Sequence, residues 1–274
     1  MRLRVAVASF SIAALTLLCA SSGIRPILAA PARSFGTHCQ DFYESVYQQG
    51  EGTFKRWRED IPTAPTVCSR FAGELDNKAT HKYSFNLEGK QWFWHDTGDH
   101  EVNSLEDVDL FLTMTHGGAA SDHTVWAMWN NETYARSNAM RLGDEAVGLS
   151  IMANVSCHTL QFDDQTWTRW SPIFRGGLRM ALGSHDMFFW RNEENNVGKV
   201  FAQYLNGGHT FKTAWSAAFS NTPQPQDPAI MVVTNSLWNC DFRRDAMSWD
   251  NFTQFTRVRD DQITNWCGWQ WTDL

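Results

Sequence analysis

The stretch VDLFLTMT at residues 108–115 is followed directly by His116-Gly117-Gly118, and VGLSIMANVS at residues 147–156 is followed by Cys157-His158. Such nearly continuous apolar runs are typical of strands buried on both faces, as in a parallel sheet covered by helices. Neighbouring parallel strands end at the same edge of a sheet, which is where open α/β folds place their sites. The sequence therefore predicts that an imidazole and a thiol lie side by side at the carboxyl edge of a sheet.

The rest of the central and C-terminal sequence alternates between strand and helix patterns. The apolar runs at residues 178–182 and 229–233 predict two more strands. Helices are predicted around residues 165–174, over residues 197–205, where apolar side chains recur with helical spacing, and after Thr210 as the N-cap. Because alternating strands and helices imply right-handed crossovers, we expect a three-layer α/β fold: a mostly parallel open sheet with helices on both faces.

The N-terminal part and the C-terminal end show weaker patterns. We expect a short helix over residues 40–49 and a loop at residues 61–65, where two prolines oppose regular structure. The alternation of apolar residues predicts a strand between His81 and Trp94. Residues 266–271 are expected to form a tail held in place by Cys267.

The first 32 residues have the pattern of a secretory signal peptide. A positively charged start is followed by an apolar run of h-region length and by small residues suited to cleavage. The prediction is a signal peptide at residues 1–32 and one domain at residues 33–274, secreted to an extracellular or periplasmic location, with no membrane contact in the mature form. The net charge of −7 and the absence of a basic stripe argue against a nucleic-acid partner. Oligomeric state stays open.

Five cysteines remain after the predicted signal peptide. An oxidising compartment favours pairing of most of them. The simplest local pairing joins Cys39 to Cys68 and Cys240 to Cys267, although four cysteines allow three pairings. Cys157, at the end of the apolar strand, is left over. An unpaired thiol in a secreted protein is either buried and inert or present for its chemistry.

His116 and Cys157 together suit nucleophilic catalysis. An adjacent imidazole removes the proton of a thiol, and the resulting thiolate attacks carbonyl groups. The acyl intermediate needs donors for its oxyanion, and the backbone N–H groups of Gly117 and Cys157 are placed to supply them. The small residue Ser156 permits a close approach at the strand end.

These motifs resemble the caspase-like superfamily of cysteine peptidases, which includes caspases, legumains and gingipains. The resemblance rests on a strand ending in His-Gly and a later strand ending in a small residue and Cys. Further likeness at residues 142–144, 177–183 and 208–215 is to an uncharacterised secreted branch. The resemblance to the superfamily implies that His116 is the general base or acid, Cys157 the nucleophile and Gly117 part of the oxyanion hole. The implied activity is that of a secreted cysteine endopeptidase that cleaves peptide or protein substrates through a thioester without a metal or other cofactor.

The resemblance does not extend to cleavage specificity. Caspases and legumains carry a polar or acidic residue two positions before the nucleophile, where this chain has Val155, and the caspase Gln-Ala-Cys signature is absent. Aspartate specificity is therefore not implied. The acidic residues Asp163, Asp164 and Asp186 lie in predicted loops and would favour Lys or Arg substrates if they line the primary pocket.

Three other interpretations stay open. Cys157 would be inert if it were simply a buried core cysteine, which would make the protein a catalytically inactive caspase-like binding protein. A metal-dependent hydrolase is a further alternative, although metal-ligand spacing is missing; its ligands would come from His116, His123, Cys157, His158, His185 and Asp186. The fourteen tryptophans fit either an aromatic core or a sugar-stacking surface.

Overall fold

The computed structural model describes residues 33–49, 52–59, 61–85, 105–128, 134–143, 148–188, 196–222, 227–236 and 239–271. The predicted signal peptide and residues 86–94 of the predicted strand lie outside these ranges. The α-helices are α1 (Ala64–Leu75), α2 (Thr166–Phe174), α3 (Val197–Asn206), α4 (Phe211–Ser220) and α5 (Cys240–Ala246). The strands are β1 (Ser34–Cys39), β2 (Phe42–Gln49), β3 (Gly52–Glu59), β4 (Thr80–Phe85), β5 (Leu110–Met114), β6 (Gly117–Ala119), β7 (Thr124–Ala127), β8 (Tyr134–Arg136), β9 (Ile151–Val155), β10 (Met180–Ser184), β11 (Pro228–Thr234) and β12 (Asn265–Gln270).

Seven strands form one sheet in the order β12-β11-β10-β9-β5-β1-β4. The five strands from β10 to β4 are parallel to one another, whereas β11 and β12 are antiparallel additions at one edge. The prediction of a mostly parallel open sheet is therefore confirmed. Because the chain runs outward from β1 to β4 on one side and from β5 to β10 on the other, the topological switch point lies between β1 and β5.

Both faces of the sheet are covered, which confirms the predicted three-layer α/β fold. Helices α1, α3, α4 and α5 contribute to the core on one face, which we call the α1 face. Helix α2 and residues of the small sheet β6–β7–β8 contribute to the core on the other. Within β5, Leu112 and Met114 belong to the α1 face and Phe111 to the opposite one. The apolar run of β5 is continuous because both of its faces are buried.

The predicted helix at residues 40–49 is wrong, because the structure has strand β2 there. Strand β2 pairs with β3 in an antiparallel hairpin that brings Gln49 opposite Gly52. The segment combines two tyrosines, a phenylalanine and a valine, residue types that favour strands. Their helical spacing was a weaker signal than this composition.

The predicted loop at residues 61–65 is too long. Helix α1 begins at Ala64 with Thr63 as its N-cap residue, so Pro65 lies within the first turn. Proline is tolerated there because the first backbone N–H groups of a helix have no intrahelical partner. The helix buries Val67, Phe71 and Leu75 against the sheet and thus adds an element that the sequence analysis did not predict.

The expected C-terminal tail is the edge strand β12, which pairs along β11. The two predicted cysteine pairs lie at bonding distance: Cys39 Sγ and Cys68 Sγ are 1.99 Å apart, and Cys240 Sγ and Cys267 Sγ are 2.14 Å apart. The first joins the end of β1 to α1, and the second joins α5 to β12. Within the described ranges, none of the helices combines the length and apolar character that a membrane crossing requires.

Candidate functional site

The register between β5 and β9 puts the two predicted site residues at the same edge of the sheet. The strands pair in parallel from Leu110 with Ile151 to Met114 with Val155. His116 and Cys157 each stand two residues beyond the last of these pairs. They therefore occupy matched positions on neighbouring strand ends, at the carboxyl edge of the sheet and next to its switch point.

Cys157 lies on the α1 face, because it packs against the core of that face. Val155, two residues earlier, belongs to the same core, and residues two apart on a strand share a face. Cys157 is half-buried, as is His116. Both side chains are therefore partly covered by protein and partly open to solvent.

The thiol of Cys157 is held by the backbone of Phe188, which follows β10. The Phe188 N–H donates to Cys157 Sγ at 3.3 Å, and the thiol donates to Phe188 O at 3.6 Å. Burial raises the pKa of the Cys157 thiol, the hydrogen bond from Phe188 N–H partly offsets this, and the negative charge of Asp186 raises the pKa further. The raised pKa favours the protonated thiol, so Cys157 needs a base to become a nucleophile.

Gly117 occupies a position with no room for a side chain. A Cβ atom there would lie 2.7 Å from Thr159 Cγ2, 2.9 Å from Cys157 O and 2.9 Å from Ser156 Cβ. The glycine therefore lets the segment after His116 touch the segment that carries the thiol. A Cβ atom added at Gly118 would meet only Val125 Cγ2, at 3.6 Å, which is an ordinary contact.

The backbone N–H of Gly117 points away from the small sheet. In the β6–β7 ladder, the Ala127 N–H donates to His116 O and the Ala120 N–H to His123 O. Hydrogen-bonded and non-hydrogen-bonded pairs alternate in antiparallel strands, so the pair of Gly117 with Trp126 is of the non-hydrogen-bonded kind. The N–H of Gly117 is thus directed away from β7, as an oxyanion donor requires.

Three hydrogen bonds fix the strand ends that carry the site. Thr115 Oγ1 donates to Ala127 O at 2.6 Å, and Thr159 Oγ1 donates to Ser156 O at 3.1 Å. The Thr115 N–H donates to Ser156 Oγ at 3.4 Å, which ties the two strands to each other directly beside the site. Ser156 thus has a structural contact in addition to its small size.

The three acidic residues proposed for a specificity pocket differ in their surroundings. Asp163 Oδ1 forms a 2.7 Å salt bridge with the buried Arg169, so this carboxylate is committed to the fold. Asp164 is exposed. Asp186 follows β10 at the same sheet edge as Cys157, is largely exposed, and has its Oδ1 3.8 Å from Nδ1 of His158. Of the three, Asp186 alone perturbs the pKa of the Cys157 thiol.

The histidines of the alternative metal site are engaged separately. His123 Nδ1 bonds to its neighbour Asp122 at 2.6 Å, and His185 Nδ1 accepts the Phe162 N–H at 2.9 Å. Among the residues that the structure describes, there is no cluster of three or more His, Cys, Asp or Glu side chains suited to a metal ion.

The end of β1 brings a carboxylate to the same edge, which the sequence analysis did not identify. Cys39 pairs with Met114, and the Gln40 N–H donates to Met114 O at 2.9 Å, so the register continues one residue past β1. Asp41 is the next residue, at the same edge of the sheet as His116. It is buried, and a carboxylate beside an imidazole is the group that orients it in nucleophile–base pairs. The strand SFGTHC has no apolar run that would have predicted it.

Comparison with known proteins gives a family without an assigned activity. A family model described as "Domain of unknown function (DUF6345)" matches residues 50–271. A comparison with curated proteins finds no significant match. The matched region contains every strand of the seven-stranded sheet except β1, and it includes His116, Gly117 and Cys157. The chain belongs to the DUF6345 family.

Proposed function

We propose that this protein is a cysteine endopeptidase in which Cys157 is the nucleophile and His116 the general base. The observation that carries the proposal is the register of β5 and β9, in which an imidazole and an unpaired thiol each follow the last strand pair by two residues at one edge of the sheet. The resemblance to the caspase-like superfamily supports the same assignment of roles. The contact of Gly117 with the segment around Cys157 supports a shared oxyanion site.

The reaction starts from a protonated thiol because burial and Asp186 raise the pKa of Cys157. His116 takes the thiol proton as Sγ attacks the carbonyl carbon of the scissile peptide bond, and the backbone N–H groups of Gly117 and Cys157 stabilise the oxyanion. The protonated His116 then donates its proton to the leaving amine, which leaves a thioester. Water attacks the thioester with His116 again as base, and this step releases the carboxylic acid and restores the thiol.

Export is part of the proposal. Two cysteine pairs at bonding distance fit an oxidising compartment. The N-terminal sequence pattern predicts a cleaved signal peptide. Expression of the full chain with N-terminal sequencing of the released protein tests this: a mature N-terminus near residue 33 is expected, and retention of the uncleaved chain inside the cell would contradict it.

A peptide-library cleavage screen tests the activity. Wild-type protein is expected to cleave a subset of peptides, and Cys157→Ala and His116→Ala are expected to cleave none of them. His158→Ala is the matched control, because His158 lies at the same edge but directly follows the nucleophile and does not come from the neighbouring strand β5. A chelator should leave cleavage unchanged. Full activity in Cys157→Ala would overturn the proposal, and loss of activity with chelator that zinc restores would favour the metal-dependent alternative.

One observation favours a second candidate, a catalytically inactive binding protein of the same fold. Both described polar contacts of the thiol are with Phe188, and they hold Sγ in a partly buried position where its pKa is raised. A folded protein that cleaves no peptide and whose Cys157 resists small alkylating reagents would establish this candidate over the peptidase.

A further inference from the structure

A groove between α4 and the edge strand β12 stands apart from the proposed catalytic residues. It has a volume of about 630 Å³. One wall is helix α4, and the other contains the aromatic side chains of Trp269 and Trp271. Strand β12 ends at the same sheet edge as β9 because two antiparallel steps separate it from β10. The groove thus lies three strand spacings of roughly 4.8 Å, or about 14 Å, along that edge from the end of β9.

The aromatic wall is built by strand alternation. Trp269 and Trp271 are two residues apart and share the face on which Cys267 is bonded to α5. Their rings are 6.0 Å apart and inclined at 65°. Lys212 Nζ lies 4.8 Å from the ring centre of Trp269, whereas Trp271 is 38 % exposed. Trp271 is therefore the open aromatic surface of the groove.

The helical wall presents hydrogen-bond acceptors. Ser216 Oγ donates to Lys212 O at 2.8 Å, Ser220 Oγ to Ser216 O at 2.9 Å, and Asn221 Nδ2 to Ala217 O at 2.7 Å. A hydroxyl has one proton, so these serine oxygens can offer a ligand only their lone pairs. The side-chain carbonyl of Asn221 is a further acceptor.

A charged pair closes one side of the groove. Lys212 Nζ bonds to Asp245 Oδ1 at 2.9 Å, and Arg244 also contacts Asp245. Hydrogen bonds from Arg244 and Lys212 lower the pKa of Asp245 to about 2, so the carboxylate is charged at physiological pH. Arg244 is also paired with Asp241, so the two cations and the two carboxylates balance and the groove carries no net charge to attract an ionic ligand.

We infer that this groove binds a neutral saccharide. A sugar ring offers a C–H face that packs on an aromatic surface and hydroxyl groups that donate to acceptors, and the groove supplies the complement of both. Anionic ligands fit poorly because the groove has no net charge to attract them and because phosphate and carboxylate groups cannot donate to its serine acceptors. Proline-rich peptides fit poorly because proline has no backbone N–H to donate. The inference does not depend on the proposed peptidase activity.

Titration with neutral linear hexasaccharides of glucose, mannose, xylose and N-acetylglucosamine tests the inference, with calorimetry and tryptophan fluorescence as readouts. The Cys157→Ala protein serves as host, so that binding is measured apart from proteolysis. At least one hexasaccharide is expected to bind, and Trp271→Ala should weaken that binding roughly tenfold or more. Tyr134→Ala is the matched control, because Tyr134 is an equally exposed aromatic residue (38 %) that does not line the groove.

A second variant separates the two walls. Ser220→Ala removes an acceptor without disturbing the core, since Ser220 is exposed, and is expected to weaken binding severalfold. No binding by any of the four hexasaccharides at millimolar concentration would overturn the inference. Saccharide binding that is unchanged in Trp271→Ala would also overturn it. A third contrary result is binding of a proline-rich or acidic peptide, lost in Trp271→Ala, by a protein that binds none of the saccharides.

Discussion

Substitution of Gly117 by alanine tests the tight junction between the two strand ends. The added Cβ atom would meet three neighbours at 2.7–2.9 Å, one of which is the backbone oxygen of Cys157. Contacts this short cannot persist, so the segment that carries His116 must move relative to the segment that carries the thiol. Overpacking of this kind costs about 1–3 kcal/mol of unfolding free energy. For a domain of this size, 2 kcal/mol corresponds to a melting temperature lowered by roughly 4–8 °C.

The same displacement is expected to lower activity more than stability. A misplacement of about 1 Å between reacting groups reduces rates by roughly a hundredfold. Gly118→Ala is the matched control, since its Cβ would meet a single side-chain atom at 3.6 Å. Thermal unfolding and peptide cleavage are measured for both variants in parallel. If Gly117→Ala unfolded at the temperature of Gly118→Ala and cleaved peptides equally fast, the proposed junction would be refuted.

Four further predictions concern the residues of the candidate site. His116→Ala should lower kcat/KM by on the order of 10²–10⁴-fold, whereas His158→Ala should change it less than tenfold, as steady-state kinetics on a common peptide will reveal. The thiol pKa is raised in the folded state, so alkylation of Cys157 by iodoacetamide at pH 8 should be slower in native than in unfolded protein. The native rate should rise above pH 9. Mass spectrometry measures both rates, and faster labelling of the native protein at pH 8 would contradict the expectation. Because the thiolate forms more readily in the unfolded state, the contribution of Cys157 to the free energy of unfolding falls as the pH rises past the ordinary thiol pKa. Urea unfolding at pH 8 and pH 10 measures this fall. Asp41→Asn should reduce kcat by at least roughly tenfold with little change in KM if its carboxylate orients His116, and an unchanged kcat would exclude that role.

The central strands were predictable because both of their faces are buried. In β5 and β9 nearly every side chain contacts the core, so the physical requirement appears in the sequence as an uninterrupted apolar run. Helices α3 and α4 were predictable from apolar spacing and from Thr210, whose Oγ1 accepts the Thr213 N–H at 3.2 Å. The common sheet edge of His116 and Cys157 was predictable from the two strand ends, since parallel strands finish at one edge.

Strand β1 was not predictable because polar residues interrupt its buried apolar ones. Thr37 and His38 are fully buried, although neither residue type signals burial. His38 tolerates its position because burial lowers its pKa to about 4, which keeps the ring neutral at physiological pH. Its place beside β5 is set by pairing between strands distant in sequence, and local patterns carry no information about such pairing. Asp41 was missed together with the strand that places it.

Strand β12 was missed for a different reason. It is an edge strand whose residues are all half-buried, so no alternation of apolar and polar side chains marks it. Trp266 stacks on Trp167 on one face, and Trp269 lines the groove on the other. The cysteine pattern correctly anchored the segment through Cys267, but a covalent anchor does not distinguish a tail from a strand.

The most direct test of the central claim is a single-turnover reaction, quenched with acid, on the ester of a peptide that the protein cleaves. Intact mass and peptide mapping are expected to find the acyl group of the substrate attached to Cys157, in the wild type and not in Cys157→Ser under the same quench. Hydrolysis that proceeds at full rate without any adduct on Cys157, or with the acyl group on another residue, would contradict the assignment of Cys157 as the nucleophile.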